Sequence, residues 1–559
     1  MTRALAAVLA PLALVLAACS AGGGRPSHHS TRPPSARQEK STRASVASMV
    51  RRMSPGQKVG QLIVATVPGT SADAGGSSLV ANYHLGGVIY FSQNAQNAGQ
   101  LAAFSNGLQR TAMAQSPGIP LTIGTDQEGG IVSRLDGALT TYPGQMAAGA
   151  TRDPALVSSE EEAVGNELRA VGLNLDYAPV ADVNVDPANP VIGIRSFGSD
   201  PGLVSQMTSA AISGFHQSGI ATATKHFPGH GDTGTDSHTG LPVIHHSQQQ
   251  WQQIDEPPFQ AAVRAGTDMV LSAHISVPAL DSSGGPATLS SKIMTGLLRD
   301  QLGFNGVITT DSLQMDGVRL KYDNAQIAVH AIQAGCDQLL MPQSVGTAYN
   351  AVLSAVRSGQ ISESRLDASV TRILMLKAER GMFAGPYANA GAAPSSVNTT
   401  SDVANAQALA DRSITVARDD GHVLPLARGK RVYVTGPDGG SLAQALAHAG
   451  ARTVSSPGQA DVIVATADDA EGDQAQLSLD SDVFAYRHPV VVVATGEPYD
   501  LGLFPRAAAA VASYSNSAVS INAVARALTG SLHPSGKLPV SIPGASGGTA
   551  YPFGTGLRY

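Results

Sequence analysis

Four short stretches of this chain gather titratable side chains at spacings that could do chemistry. The densest is Lys225-His226-Phe227-Pro228-Gly229-His230-Gly231-Asp232-Thr233-Gly234-Thr235-Asp236-Ser237-His238-Thr239-Gly240-Leu241-Pro242. Within it, Asp236 lies two positions before His238, close enough for the carboxylate to orient the imidazole and stabilise its charged form. Gly124-Thr125-Asp126-Gln127-Glu128-Gly129-Gly130-Ile131-Val132-Ser133-Arg134 sets an acid, paired glycines and an arginine in one turn. Asn189-Pro190-Val191-Ile192-Gly193-Ile194-Arg195-Ser196-Phe197-Gly198 carries Arg195, and Thr309-Thr310-Asp311-Ser312-Leu313-Gln314-Met315 carries Asp311. Residue types alone leave several outcomes open. The first stretch could be an inert solvated loop, or a divalent-metal site made from His226, His230, Asp232, Asp236 and His238, or an acid/base pair. Asp126 could belong to a plain structural turn, and Asp311 could cap a helix or act as a nucleophile.

The elements that must position these groups are read from apolar runs. Gly219 to Thr224 alternates small and apolar residues and predicts a buried strand that ends where Lys225 begins; beyond it the glycines and prolines predict irregular chain. Other strand candidates are Leu62 to Thr66, Gly87 to Phe91, Leu121 to Gly124, Leu175 to Val180, Met269 to Ser272, Gly306 to Thr310 and Gln338 to Met341. Helical patterns lie between most of them: Ala98 to Ala112, Glu160 to Val171, Leu203 to Ser218, Trp251 to Ala265, Ser291 to Leu302 and Ala325 to Ala334. Such alternation fits a (β/α)8 barrel or a doubly wound sheet. Position favours the barrel: Asp126, Asp182, Lys225, His226, His274 and Asp311 all fall at or just past strand carboxyl ends, the face on which barrels gather reactive groups. The barrel is expected over residues 46–381, a linker rich in Ala, Gly and Pro over 382–396, and a smaller α/β sandwich domain over 397–559. Strands there are expected at Val432 to Thr435, Asp461 to Thr466, Pro489 to Ala494 and Ala509 to Tyr514, with helices at Ser441 to Gly450 and Ser520 to Leu528.

With 559 residues, 43% hydrophobic and 14% charged, the chain can build several large cores. Its formal net charge of -6 provides no basic field for nucleic acid. Met1-Thr2-Arg3 followed by an apolar run from Ala4 to Ala18 reads as an export signal over residues 1–19. Leu16-Ala17-Ala18-Cys19 resembles the lipobox at which bacterial lipoproteins are cleaved and acylated on cysteine. Lipidation of Cys19 would anchor the protein to the outer face of the bacterial cell membrane; without it the protein would be secreted. Cys336 is then the only cysteine left, so no internal disulfide can form. Residues 20–45, rich in Gly, Ser, Pro, Arg and His, are expected to be a disordered tether.

The run K-H-F-P-G-H-G followed by D-S-H resembles the signature of bacterial β-N-acetylglucosaminidases of glycoside hydrolase family 3, of the NagZ type, here in a two-domain lipoprotein form. The resemblance covers about Val46 to Tyr559. Asp126-Gln127-Glu128-Gly129-Gly130 with Arg134 is similar to the family's D-Q-E-G-G-R-V-x-R, although Ile131 replaces its first arginine. Asn189 to Gly198 is similar to N-P-x-I-G-x-R-S-F-G, Thr310 to Met315 looks like T-D-x-L-x-M, and Pro534 to Leu557 resembles the closing segment of the second domain. The resemblance implies a metal-free retaining hydrolase without cofactor. In it Asp311 is the nucleophile, His238 the acid/base and Asp236 its partner, while Asp126, Arg134, Arg195, Lys225 and His226 bind the sugar. It also implies that terminal β-linked N-acetylglucosamine is removed, from muramic-acid-containing peptidoglycan fragments. Lys225, Arg134 and Arg195 are expected to depress the pKa of Asp311. The rivals are a β-glucosidase or β-xylosidase of the same family, and a non-catalytic, lipid-anchored sugar-binding protein. A monomer is expected.

Overall fold

A computed structural model describes residues 36–559. The export segment, Cys19 and the first part of the tether lie outside the described residues. Eight parallel strands form the first domain: β1 (Ile63–Thr66), β2 (Gly87–Ile89), β3 (Thr122–Thr125), β4 (Leu175–Asp176), β5 (Ala221–Phe227), β6 (Met269–Ser272), β7 (Val307–Thr309) and β8 (Leu339–Leu340). They pair in the order β8-β1-β2-β3-β4-β5-β6-β7. A parallel bridge between Thr309 and Gln338 joins β7 to the start of β8, the two ends of that order, and closes the barrel. These strands read as short apolar runs because both faces are covered, one by the barrel core and one by the helices that parallel neighbours require as crossovers. The helix Pro201–Ser218 illustrates how the punctuation works. Asp200 caps its start by accepting from Leu203 N, Pro201 occupies the first turn, and Gly219, with φ 84°, ends it and feeds the chain into β5.

Several elements differ from the sequence reading. The strand expected over Leu175 to Val180 covers only Leu175–Asp176, and the helix expected over Ser291 to Leu302 is a π-helix over Lys292–Gln301. Strand β5 does not stop at Thr224 but runs to Phe227, because Lys225 N donates to Pro179 O, Ala181 N donates to Lys225 O, and Lys225 and Phe227 pair with Leu271 and Ser272. Phe227 then packs edge-on against Trp251 and Phe259. Lys225 and His226 are therefore strand residues, held more rigidly than a loop would hold them. The expected helix from Trp251 to Ala265 is two helices, Gln248–Ile254 and Glu256–Ala265, broken at Asp255, whose carboxylate turns to His246 at 2.7 Å. The tether expected over residues 20–45 is helical from Ala36, in a helix that continues to Arg52. Its exposed start carries a Glu39–Arg43 pair one turn apart, and its end buries Val46 and Val50 in the barrel's outer cluster, ahead of buried Met53.

The segment over 382–396 is tied to the barrel, since the Asn106 amide both donates to Ala388 O and accepts from Ala388 N. After helix Thr400–Ser413 comes a six-stranded sheet in the order Thr415–Asp419, Ala509–Ala512, Val490–Ala494, Val462–Ala467, Arg431–Thr435, Arg452–Val454. Only the first strand is antiparallel to its neighbour. One face of this sheet packs on helices Gly439–His448 and Ala518–Leu528. The other face shares a core with Met146, Ala147, Ala150 and Ile194 of the barrel, so the two domains meet through buried apolar side chains.

Candidate active site

Asp126, Arg134, Arg195, Lys225, His226, Asp236, His238 and Asp311 line one cleft of about 460 Å³ at the carboxyl ends of the barrel strands. This is within the size range of small-ligand pockets. Its floor is an ion network that begins on strand β5. Lys225 Nζ lies 2.7 Å from Asp126 Oδ1 and also pairs with Glu128 Oε1, while Arg195 grips Glu128 with Nε and Nη2, each at 2.8 Å. Burial would raise the Glu128 pKa, but Arg195 and Lys225 overcome it and hold the carboxyl well below the usual range. Burial likewise works against charged Lys225, and Asp126 and Glu128 reverse it so that the ammonium is retained. Four groups of alternating charge are thus fixed where sugar hydroxyls could exchange hydrogen bonds with them.

His226 stands beside this network. Its Nδ1 donates to Asp182 Oδ2 at 2.6 Å, and its Nε2 faces Arg195 Nη2 at 3.4 Å. Asp182 is fully buried and also accepts from His226 N and His230 N, so burial, which would raise its pKa, is outweighed by His226 and His230. Arg134 reaches the cleft with its guanidinium 5.8 Å from the Phe91 ring centroid, and its buried Nε has no protein partner.

Asp311 follows β7, and its Oδ1 accepts from Ser312 N at 2.7 Å. Burial would raise its pKa, yet His274, His226, the Ser312 N–H and Lys225 together bring it below the ordinary carboxylate value. Of the three expected cations Lys225 is among these causes, and the imidazoles of His274 and His226 stand ahead of it, while Arg195 is committed to Glu128. His274 donates Nε2–H to Ser312 O at 2.9 Å and so braces the same turn.

Asp236 and His238 occupy the loop after β5. His238 Nδ1 and His238 N both approach Asp236 Oδ1, at 2.7 and 2.8 Å, which leaves Nε2 free to exchange a proton. Burial opposes charge on Asp236, but the two His238 donors hold its pKa below the ordinary value. The His238 side chain is 62% exposed, whereas Lys225 is 3% exposed, so His238 sits at the mouth of the cleft and Lys225 on its floor. The alternative metal set does not converge. His226 is taken by Asp182, His230 by Thr233 and Ser237, Asp232 by His246 and Asp236 by His238. Among the described residues no three His, Cys, Asp or Glu side chains converge on a common point that could hold an ion.

Glu128, Asp182 and His274 received no role from the sequence, and His230 only a place in the alternative metal set. Glu128 was in view inside D-Q-E-G-G, and Asp182 and His274 were noted at strand ends, but their partners lie tens of residues away and only folding reveals them.

The glycosyl hydrolase family 3 N-terminal domain matches residues 56–376 and the family 3 C-terminal domain residues 414–559. A β-hexosaminidase A of Pseudoalteromonas piscicida is 36% identical over 380 residues, which are 64% of this chain and 63% of that protein, so the chain spans less than two thirds of that relative. A β-N-acetylglucosaminidase/β-glucosidase of Cellulomonas fimi is 31% identical over 392 residues, 68% of either protein. The β-hexosaminidase LpqI of Mycobacterium tuberculosis is 33% identical over 386 residues, 66% of this chain and 96% of that one. Among solved structures, a glycoside hydrolase family 3 β-N-acetylglucosaminidase from Paenibacillus sp. str. FPU-7 superposes with a TM-score of 0.81 at 34% identity, covering 87% of this chain and 99% of that one.

Proposed function

This chain belongs to glycosyl hydrolase family 3, and from that premise we propose that it is a retaining β-N-acetylhexosaminidase that works through a glycosyl-aspartate and an Asp-His acid/base pair. The observation that carries this reading is the pairing of Asp236 with His238 on the same cleft as ionised Asp311. In the first step Asp311 attacks the anomeric carbon on the face opposite the leaving group, and His238 Nε2 gives its proton to the departing glycosidic oxygen. Asp236 stabilises the imidazolium donor, as a fixed carboxylate does for any histidine that shuttles a proton. In the second step His238 takes a proton from water, the water oxygen attacks the anomeric carbon, and Asp311 leaves as a free carboxylate. Asp126, Lys225, Arg195, His226 and Arg134 hold the sugar hydroxyls meanwhile.

Two of the similar proteins are named β-N-acetylglucosaminidases, which supports N-acetylglucosamine as the sugar, and the β-hexosaminidase names of others fit an amino sugar. One relative also carries the name β-glucosidase, which keeps β-glucosides as a second reading. Assay of the purified protein on chromogenic β-N-acetylglucosaminide, β-glucoside and β-xyloside decides between them. Preference for the first is expected; equal or greater turnover of the other two would overturn the specificity, and no turnover of any would overturn the enzyme.

Peptidoglycan fragments are the proposed natural substrate, because the export signal read in residues 1–19 would carry the chain out of the cell, where cell-wall polymer lies. Among the described residues no helix is long and apolar enough to cross a membrane; the proposed attachment rests on the sequence Leu16-Ala17-Ala18-Cys19 alone, through acylation of Cys19. Cys19→Ala should move the protein from the membrane fraction to the soluble fraction with unchanged specific activity; retention in the membrane would end the lipoprotein assignment.

A further inference from the structure

The turn that carries Arg195 is fastened by the barrel at its ends and by the second domain in its middle. At one end, Asn189 Oδ1 accepts from Val191 N and Ile192 N, and Asn189 Nδ2 donates to His230 O at 2.9 Å. At the other, Gln145 Nε2 donates to Arg195 O at 2.8 Å. Between them Gly193 takes a left-handed φ of 44°, and Ile194 packs into the core shared with the second domain. Directly against this pair stands Glu497, just beyond the carboxyl end of strand Val490–Ala494 in the second domain. Its carboxylate faces the Ile194 N–H and fills the position that a Cβ on Gly193 would take. Two residues on, Tyr499 Oη lies 2.8 Å from Asn184 Nδ2, a second tie to the same barrel segment.

We propose that Glu497 of the second domain is a positioning residue for the sugar pocket: it holds the Gly193–Ile194 turn across the domain seam and thereby sets where the Arg195 guanidinium stands over Glu128 and beside His226. The proposal rests on the reading of Arg195 as a sugar-binding residue. It gives the second domain a part in catalysis although none of its residues lines the catalytic cleft. Burial, with Asp469 and Asp500 nearby, pushes the Glu497 pKa up to about 7. Charged or neutral, the side chain keeps a carbonyl-type oxygen to accept from Ile194 N, and a glutamine keeps it too.

The test compares wild type, Glu497→Gln, Glu497→Ala, Arg195→Lys and the double variant Glu497→Ala with Arg195→Lys. KM and kcat are measured on a chromogenic β-N-acetylglucosaminide, Kd is measured for free N-acetylglucosamine, and Tm is recorded for each. Glu497→Ala is expected to raise KM and Kd about tenfold while kcat stays within about threefold, the scale of a sub-ångström displacement of one positioning group. Glu497→Gln should behave as wild type. In the Arg195→Lys background Glu497→Ala should add nothing to KM, because residues acting through one another are not additive. Unchanged KM in a folded Glu497→Ala protein, or a full additional loss in the Arg195→Lys background, overturns the proposal; so does a lowered Tm with normal KM and Kd. Should Glu497→Ala not fold, Gly193→Ala pushes a Cβ into the same carboxylate and must give the same rise in KM. Wild-type inactivity on the glycoside would sink the functional reading itself, whereas an active wild type with an unaffected Glu497→Ala sinks only the role of the seam.

Discussion

His238 gives and recovers one proton per turnover in the proposed reaction, so the cost of losing it must depend on the leaving group. For His238→Ala, glycosides with poor alkoxide leaving groups should lose several orders of magnitude in kcat/KM, and aryl glycosides of acidic phenols should be nearly spared in the first step. Water attack then limits, giving a burst of phenol followed by slow turnover that azide, which needs no deprotonation, accelerates. Rates across phenols of graded acidity test this: an equal loss for every phenol, without burst or rescue, would make His238 a binding residue only. Asp176, at the end of β4 beneath the floor network, supplies a pH dependence of stability. Burial, with Asp126 and Glu128 close by, outweighs the Gln127 N–H and Lys225 and pushes its pKa up to about 8. An unfolded aspartate titrates near 3.9. The folded state therefore holds a proton that the unfolded state releases, and this contribution, complete below about pH 4, is lost as pH rises towards 8. Calorimetry should give a higher Tm at pH 5 than at pH 8, with the difference narrowed in Asp176→Asn; the same difference in both proteins would refute the assignment. Asp311 and His238 were legible because their motifs are contiguous in sequence. Glu128 and Asp182 were not, since a carboxylate's partner 67 or 44 residues away leaves no local mark.

The loop that carries Asp236 and His238 is exposed at its tip, yet its base is pinned at three points. Trp251 Nε1 donates to Pro228 O at 2.8 Å, His230 Nε2 and Ser237 Oγ are 3.0 Å apart, and His246 bridges Asp232 and Asp255 at 3.0 and 2.7 Å. His246→Ala removes the third pin and leaves Asp255 buried without its partner. Because Lys225 and His226, the residues proposed to hold the sugar, belong to strand β5, the variant should lower kcat by roughly ten- to a hundredfold with little change in KM. A matching rise in KM would mean that the floor moves with the loop. The barrel strands were readable since each is a continuous apolar run closed by glycine or polar residues. The end of β5 was not, because Lys225-His226-Phe227 is polar by composition and is kept extended by Pro179, Ala181 and strand β6, contacts distant in sequence. The break at Asp255 escaped for a similar reason: the helical period runs on through it, and the turn answers to His246. Strand Thr415–Asp419 went unread because it is a short, mixed edge strand whose pairing to Ala509–Ala512 defines it.

At the scale of the molecule, two domains share one apolar seam, and the residues proposed for catalysis all come from the first. The mycobacterial relative aligns over 96% of its own length to 66% of this chain, so it is shorter than the two domains together. In this chain the surface facing the second domain is not built for water: Met146, Ala147 and Ala150 are buried there, and Ile194 is 7% exposed. Exposing a large apolar side chain such as methionine or isoleucine costs about 1.5–3 kcal/mol, comparable to a sizeable part of a domain's net stability. A fragment ending at Ser396 should therefore melt well below the full chain or associate through the uncovered patch, and its KM should rise, since the Gly193–Ile194 turn loses both its packing and Glu497. Replacing Met146 and Ile194 with polar residues in the fragment should recover solubility without recovering KM, which separates burial from positioning. Sedimentation and calorimetry on the two fragments provide the measurement. A monomeric fragment with the Tm and KM of the full chain would mean that the seam contributes neither stability nor geometry to the barrel.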